Sequence, residues 1–262
     1  MRELVTQWRH TRMVVLTALT AAVYAAVLIP FKIATLIPGF TEIRPAVAIP
    51  VVFGLLFGPA GAWGAAFGNL IGDFFGTLGA GSLFGFLGNL FYGMVGYKLW
   101  GRMGPVSSGD PPHLRSARQL LEFGIVALVS SAVCAATIGW GVEVLGLFPF
   151  AVLGSIIAVN NLVVTLLLGP VLLWLLYPRV ARWGLLWTEI VPPGDRSRGT
   201  APRLGALLIG LGALGALVSG LALSTGLYGA PLLAFGGGTV GTGVVWGVLP
   251  FLLLFLAGCF LA

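Results

Sequence analysis

The chain of 262 residues is 58% hydrophobic and only 8% charged, and its formal net charge is +6. A soluble domain carries about 25% charged residues, so this composition excludes an ordinary soluble protein and indicates a membrane protein. The basic residues lie in a few short polar segments, which is the pattern of membrane topology and excludes a nucleic-acid-binding face.

Eight apolar stretches follow one another along the chain, and a membrane-spanning helix needs about 20 such residues. They cover residues 13–31, 47–58, 61–78, 81–101, 119–141, 154–177, 203–224 and 241–262. The second stretch is short and is punctuated by Pro50 and Pro59, so a broken or tilted helix is expected there. The predicted fold class is an all-α polytopic membrane protein, with a six-helix core over residues 1–181 and a basic loop plus two additional transmembrane helices over 182–262.

The positions of Lys and Arg predict the orientation of these helices, because basic residues favour the cytoplasmic side. With the N-terminus inside, all of the 14 basic residues except Lys32 and Arg44 fall in cytoplasmic segments. An even number of spans then places both termini in the cytoplasm. Trp183 and Trp187, which follow the sixth stretch, predict an aromatic anchor at the membrane interface.

Most of the polar side chains that the chain places at membrane depth fall between residues 41 and 100. Such side chains are costly in lipid and usually line a cavity or pair with one another. In the predicted orientation, one set of polar and aromatic residues converges on the outer side of the bundle. This predicted substrate-binding set is Glu42, Arg44, Asn69, Asp73, Asn89, Trp140, Asn160 and Asn161.

The charged members of this set have structural alternatives. Asp73 could bind a ligand or carry a proton, or it could pair with Arg44 or Lys32 and hold the outer loop closed. Glu42 and Arg44 could form a loop-locking pair as readily as a ligand clamp. The residue types alone leave both interpretations open.

The amides are equally ambiguous. Asn89 can both donate and accept hydrogen bonds, which suits a heterocyclic ring, but contacts between helices use the same property. Neighbouring residues on a helix point about 100° apart. We therefore expect at most one of Asn160 and Asn161 to reach a given pocket.

Small residues recur every four positions in two of the predicted helices, a spacing that lets helices approach closely in lipid. The third helix carries Gly64, Gly68, Gly72 and Gly76. The first carries Ala18, Ala22 and Ala26. The glycines predict helix packing, whereas the alanine face could pack internally or dock against a partner helix.

The sequence contains no Walker loop, so any ATP use must come from a partner subunit. The two histidines lie in separate polar segments and the two cysteines in apolar runs. We therefore expect no metal site and no cofactor.

The order of these motifs resembles the substrate-binding S components of energy-coupling factor (ECF) transporters, and most closely the vitamin and queuosine-precursor group. The resemblance covers about residues 12–181. The matching motifs are Ala18, Ala22 and Ala26, the segments 42–46 (EIRPA) and 58–61 (GPAG), Gly68-Asn69 and Gly88-Asn89.

This resemblance implies a non-enzymatic subunit of an ABC importer in a prokaryotic plasma membrane. Such a subunit captures a small vitamin-like or heterocyclic solute from outside and delivers it inward. Its expected partners are the lipid bilayer, a membrane coupling subunit and cytoplasmic ATPase subunits, with no nucleic acid. The alanine face formed by Ala18, Ala22 and Ala26 would be the docking surface for the coupling subunit.

The last two predicted helices lie outside the resemblance. They could form a lipid-facing clamp or a partner-docking pair, or replace part of the coupling machinery. Two other functions remain open: a structural or accessory subunit of a larger membrane complex, and an intramembrane lipid-modifying enzyme with Asp73 as its acid or base.

Overall fold

The computed structural model describes residues 1–33, 35–37, 41–42, 44–197, 199–226 and 242–262. These residues form eight helices of ten residues or more. They are α1 (Thr11–Leu28), α2 (Ala48–Phe57), α3 (Pro59–Asp73), α4 (Ser82–Leu99), α5 (Ala117–Val144), α6 (Phe150–Arg182), α7 (Pro202–Ser224) and α8 (Thr242–Leu261). Two short strands, β1 (Thr35–Ile37) and β2 (Thr41–Glu42), pair antiparallel between α1 and α2.

Short helical turns occupy several of the connections. Two are single α-turns, Glu3–Thr6 and Trp187–Ile190. The others are 3₁₀ turns at Gln7–Arg9, Ile29–Ile33, Pro45–Val47, Gly104–Val106 and Pro193–Asp195.

The architecture confirms the predicted all-α polytopic membrane fold. Each predicted apolar stretch contains one of the eight helices, and α2 is short, as expected. Over the described ranges, five helical segments are long and apolar enough to cross a membrane. They are Thr11–Phe31, Ala117–Val144, Phe150–Ile190, Pro202–Ser224 and Gly243–Leu261.

Most helix boundaries differ by a few residues from those predicted, and two of these differences have a clear structural cause. Helix α3 ends at Asp73 instead of residue 78, because Gly76 has a φ of 142°, a conformation outside the helical region. Helix α6 begins at Phe150, four residues earlier than expected. There the Glu143 carboxylate accepts the Phe150 N–H at 2.5 Å, which places an anion at the N-terminus of the helix.

The GPAG segment forms a sharp corner between α2 and α3. Gly58 has a φ of 54°, which favours glycine, and Pro59 is the first residue of α3, where the missing N–H costs no helical hydrogen bond. The Trp187 indole lies against this corner, 2.6 Å from the position that a Cβ on Gly58 would occupy. Trp187 therefore packs inward and does not share the exposed position of Trp183, so the prediction of a common interfacial anchor is wrong.

Two glycines of the α3 stripe allow close contact with α1. A Cβ on Gly64 would lie 2.3 Å from the Cβ of Thr20, and one on Gly68 would lie 2.9 Å from the backbone oxygen of Ala21. Gly76 lies beyond the end of α3, and a Cβ on it would meet no described atom within 4 Å. Helix packing thus accounts for the first part of the stripe and not for its end.

The alanine face of α1 points away from the bundle. Ala18, Ala22 and Ala26 are exposed, whereas Ala21 and Ala25, on the α3 side, are buried. The described parts of the chain, α7 and α8 included, leave this outward face uncovered.

Helices α7 and α8 form a tightly packed C-terminal hairpin. A Cβ on Gly212 would lie 2.4 Å from the backbone nitrogen of Phe255, and one on Gly258 would lie 2.7 Å from that of Ile209. The hairpin packs against α5 and also contacts α4, where the rings of Phe91 and Phe255 lie 5.3 Å apart. The two additional helices are therefore an integral part of the bundle.

A buried cluster joins the N-terminal segment, the end of α4 and the loop before α7. The Lys98 ammonium lies 2.8 Å from the Glu3 carboxylate, and the Ser197 hydroxyl donates to the other Glu3 oxygen at 2.6 Å. Burial raises the pKa of Glu3, but the charge of Lys98 and the hydrogen bonds from Lys98 and Ser197 outweigh it and lower this pKa to about 2. A second contact joins the N-terminal segment to the same loop, because Nε2 of His10 lies 3.0 Å from the Asp195 carboxylate.

Candidate functional site

A cavity of about 250 Å³ lies where α3 ends and α4 begins, with α5 and α6 on its far side. Its walls come from the end of α3, the turn after it, the first residues of α4, and the facing parts of α5 and α6. The lining residues are Arg44, Asn69, Asp73, Thr77, Leu78, Gly79, Ala80, Gly81, Ser82, Gly85, Ile138, Val142, Leu147, Leu153 and Ile157.

A hydrogen-bonded polar strip runs along one wall of the cavity. The Arg44 guanidinium donates from Nη1 to Oδ1 of Asn69 at 3.3 Å. Asn69 donates from Nδ2 to Oδ2 of Asp73 at 3.2 Å, and the Thr77 hydroxyl donates to Oδ1 of Asp73 at 2.9 Å. Because Asn69 and Asp73 are spaced by four on α3, their side chains lie one above the other, and the turn after α3 brings Thr77 to the same carboxylate.

The strip combines a cation, an amide and an anion in a site largely removed from water. Asn69 and Asp73 are almost fully buried, and Arg44 is half-buried. The opposite wall is apolar, with Ile138 and Leu153 from α5 and α6. A flat ring could contact the apolar wall with one face while its edge exchanges hydrogen bonds with the strip.

A second, smaller chamber adjoins the cavity. Its volume is about 10 Å³, which is room for about one water molecule. Arg44, Ile138 and Ile157 border both spaces. The remaining residues of the smaller chamber are Tyr24, Val47, Asn89, Cys134, Asn160 and Asn161.

Asn89 links two helices at the smaller chamber. Its Oδ1 accepts a hydrogen bond from the Tyr24 hydroxyl at 3.0 Å, and its Nδ2 donates to the carbonyl of Gly85 at 2.9 Å. All three residues are buried. The amide of Asn89 thus holds α1 and α4 together, which is the packing role considered above, although the residue also borders the chamber.

Asn160 and Asn161 both border the smaller chamber, so the expectation that only one would reach a pocket is wrong. The chamber lies directly against α6, so two neighbouring residues can both border it although their side chains point about 100° apart. Asn161 is buried and Asn160 is partly exposed. The Tyr92 hydroxyl lies 2.6 Å from the Thr165 hydroxyl and donates to the Asn161 carbonyl at 3.3 Å, which fixes α6 against α4 here.

One residue of the predicted set lies away from this site, and another has a side chain that the structure does not describe. Trp140 borders neither chamber among the residues described; its indole N–H donates to the carbonyl of Val245 on α8 at 3.0 Å, and its ring contacts Phe84. The backbone of Glu42 lies in β2, but its side chain is outside the described part of the structure. The same holds for the side chain of Lys32.

Three polar contributors were missed by the sequence prediction. Thr77 was assigned to the third helix but belongs to the turn after it. Ser82 is the first residue of α4, and its hydroxyl accepts a hydrogen bond from the Gly79 N–H at 3.2 Å. Tyr24 did carry a signal. It follows Thr17 and Thr20 at helical spacing, and all three are buried on one face of α1.

Comparison with known proteins gave one match. A family model described as QueT transporter matches residues 14–178. Searches of curated proteins and of solved structures gave no match. The matched segment contains the alanine face and every residue that borders the two chambers, and it ends before α7.

Proposed function

Because the chain belongs to the QueT transporter family, a family of ECF S components for queuosine-precursor uptake, we propose that it captures a queuosine precursor outside the cell and delivers it inward with partner subunits. Queuosine precursors are substituted 7-deazaguanine bases. The family and the apolar helices identify this chain as a multi-pass membrane protein with a role in transport. What we propose is the identity of its ligand and of its partner subunits.

One observation carries the choice of ligand: the polar strip formed by Arg44, Asn69, Asp73 and Thr77 opposite an apolar wall. A guanine-type edge presents two parallel N–H donors beside a carbonyl oxygen. A carboxylate accepts such a donor pair, so the proposal assigns Asp73 to the N–H groups. Arg44 and Asn69 would donate to the carbonyl.

The size of the cavity supports a free base. Pockets for drug-sized ligands measure about 300–1,000 Å³, whereas this cavity measures about 250 Å³. A cavity of this size therefore favours a free base over a nucleoside, which adds a ribose. In this proposal Asn89, Asn160 and Asn161, which border the adjoining chamber, contact a substituent of the ring. The binding role of Glu42 stays a prediction.

Energy would come from partners, as expected for a chain without a Walker loop. The exposed face of Ala18, Ala22 and Ala26 would receive the membrane coupling subunit, because small residues let a partner helix approach closely. Cytoplasmic ATPases bound to that subunit would supply the work. Helices α7 and α8, as far as the structure describes them, leave the face accessible.

The proposal is tested by binding to the purified protein in detergent. Isothermal titration would compare 7-deazaguanine with 7-deazahypoxanthine, which lacks the exocyclic amino group, and with 7-deazaguanosine. We expect the free base to bind at least about tenfold more tightly than 7-deazahypoxanthine, the effect of roughly one lost hydrogen bond to a charged group. It should also bind more tightly than 7-deazaguanosine, because the ribose takes up space in the cavity.

Native mass spectrometry of the protein as purified provides an independent check, since a tightly bound base would remain attached. Absence of any binding by 7-deazaguanine would reject the proposed ligand class. Equal binding of 7-deazahypoxanthine would reject the role assigned to Asp73.

A further inference from the structure

The C-terminal hairpin of α7 and α8 lies outside the segment that matches the family, so the family does not explain it. It packs along α5, and the end of α7 also contacts the corner between α5 and α6. This corner runs from Glu143 to Phe150 and leads into a wall of the cavity. The contacts at the corner therefore bear on what the hairpin does.

Phe150 is wedged between the hairpin and α5. Its side chain is fully buried. A Cβ on Gly220 of α7 would lie 2.3 Å from the tip of its ring, and one on Gly139 of α5 would lie 3.0 Å from the ring edge. The ring fills the space between these two glycines, so neither helix can move toward it.

Hydrogen bonds fix the same corner to the end of α7. The Ser224 hydroxyl accepts the Ala151 N–H at 3.0 Å and donates to the Glu143 carboxylate at 3.4 Å. The same carboxylate oxygen accepts the Phe150 N–H. The last turn of α7 thus completes the capping of the N-terminus of α6.

The corner is continuous with the cavity wall. Leu147 lies in the corner itself, and Leu153 follows Phe150 by three residues, less than one helical turn. Ile157, one turn further on, borders both chambers. A displacement of the first turn of α6 would therefore move the apolar wall opposite Asp73.

We propose that the C-terminal hairpin positions the cavity wall, with Gly220 and Ser224 as positioning residues that act through Phe150 and the start of α6. The hairpin then sets ligand affinity and is not a second docking surface. This inference rests on the proposed function for the identity of the ligand, but not for the structural coupling between α7 and α6.

Two pairs of variants of the full chain test the inference. Ser224→Ala removes the hydroxyl from the corner, and its control, Ser219→Ala, removes a hydroxyl that donates only within α7. Gly220→Ala places a methyl against Phe150, and its control, Gly210→Ala, places one where no atom lies within 4 Å. Ser224→Thr keeps a hydroxyl and serves as the rescue variant.

Two measurements are made on each variant: amide hydrogen exchange by mass spectrometry and the affinity for 7-deazaguanine. We expect Ser224→Ala and Gly220→Ala to speed exchange in residues 150–157 and to weaken binding by about three- to tenfold, because the first removes a hydrogen bond at the corner and the second forces the Phe150 ring to shift. Exchange in α1 to α3 should stay unchanged. Both controls and Ser224→Thr should resemble the wild type.

The inference is overturned if exchange in residues 150–157 is unchanged, or if it rises equally in every helix, since the latter indicates general destabilisation. It is also overturned if local exchange rises while the affinity stays at the wild-type value. If the wild type itself does not bind 7-deazaguanine, the proposed ligand fails, and exchange at Leu153 and Ile157 alone decides whether the hairpin positions the wall.

Discussion

Asn69 and Asp73 lie one helical turn apart on α3 and are joined by a hydrogen bond of 3.2 Å from the amide of Asn69 to the carboxylate of Asp73. Because Asn69 also accepts a hydrogen bond from Arg44, the amide connects the segment before α2 with the end of α3. The orientation of both oxygens of Asp73 is thereby fixed before any ligand arrives. A pre-oriented carboxylate loses little entropy on binding, which favours high affinity.

The first prediction concerns the charge of Asp73. Asp73→Asn keeps the size and the fold but removes the anion, so the affinity for 7-deazaguanine should fall by about 10- to 100-fold, the effect of losing a charge-assisted hydrogen bond. Isothermal titration measures this change. Glu189→Gln, an exposed acid outside the cavity, is the matched control and should bind like the wild type. An unchanged affinity of Asp73→Asn would remove this carboxylate from the site.

The second prediction separates docking from binding. Ala22→Trp places a large side chain on the exposed alanine face, so transport by cells that supply the coupling module should fall by about tenfold or more, equivalent to roughly 1.4 kcal/mol of lost docking energy. Binding of 7-deazaguanine to the purified variant should be unchanged, because Ala22 points away from the cavity. Leu167→Trp, on the exposed face of α6, is the control. Normal uptake by Ala22→Trp would exclude this face as the docking surface.

The third prediction concerns the close approach of α1 and α3. Gly64→Ala would place a methyl 2.3 Å from the Cβ of Thr20 and 2.8 Å from the carbonyl oxygen of Thr17. The backbones must separate, so the variant should lose about 1–3 kcal/mol of stability, as overpacked cores do. Thermal unfolding in detergent measures the loss. Gly124→Ala, whose methyl would meet its nearest atom at 4.0 Å, should unfold like the wild type; a similar loss in both variants would count against the packing argument.

The fourth prediction concerns acid stability. The pKa of Glu3 is about 2 in the folded protein, below the ordinary value of 4.5. A lowered pKa stabilises the fold fully above pH 4.5, and this contribution disappears as the pH falls from 4.5 toward 2. The contribution at neutral pH is roughly 3 kcal/mol.

Glu3→Gln should therefore lower the unfolding temperature at pH 7 and flatten its decline in this acid range. Unfolding temperatures across the range measure the effect, with Glu189→Gln as an exposed control. If Glu3→Gln declines with pH as steeply as the wild type, the ion pair with Lys98 does not stabilise the fold.

The fold was predictable because hydropathy dominates in lipid, and each of the eight apolar stretches became a helix. Part of the site was predictable for the same reason: a buried amide and a buried acid at a spacing of four, Asn69 and Asp73, must share a wall. Arg44 joins them because it lies directly before the Pro45–Val47 turn and α2. These inferences need only helical periodicity and the cost of polar groups in a membrane.

The remaining features depend on contacts between distant segments. Trp140 lies at the expected end of α5, but its indole finds a carbonyl on α8, about 100 residues later. Trp187 has the sequence context of an interfacial anchor, but its ring packs against Gly58. Local patterns cannot choose between lipid and a protein partner for an aromatic ring, because both environments suit it.

Arg44, together with Ile138 and Ile157, borders two spaces of unequal size, about 250 Å³ and 10 Å³. We expect that a rotation of its guanidinium, at the cost of the hydrogen bond to Asn69, would extend the larger space toward Asn89 and Asn161. The usable volume would then be adjustable at one residue while every helix stays in place. Bases with and without a bulky substituent could then share one binding mode for the ring.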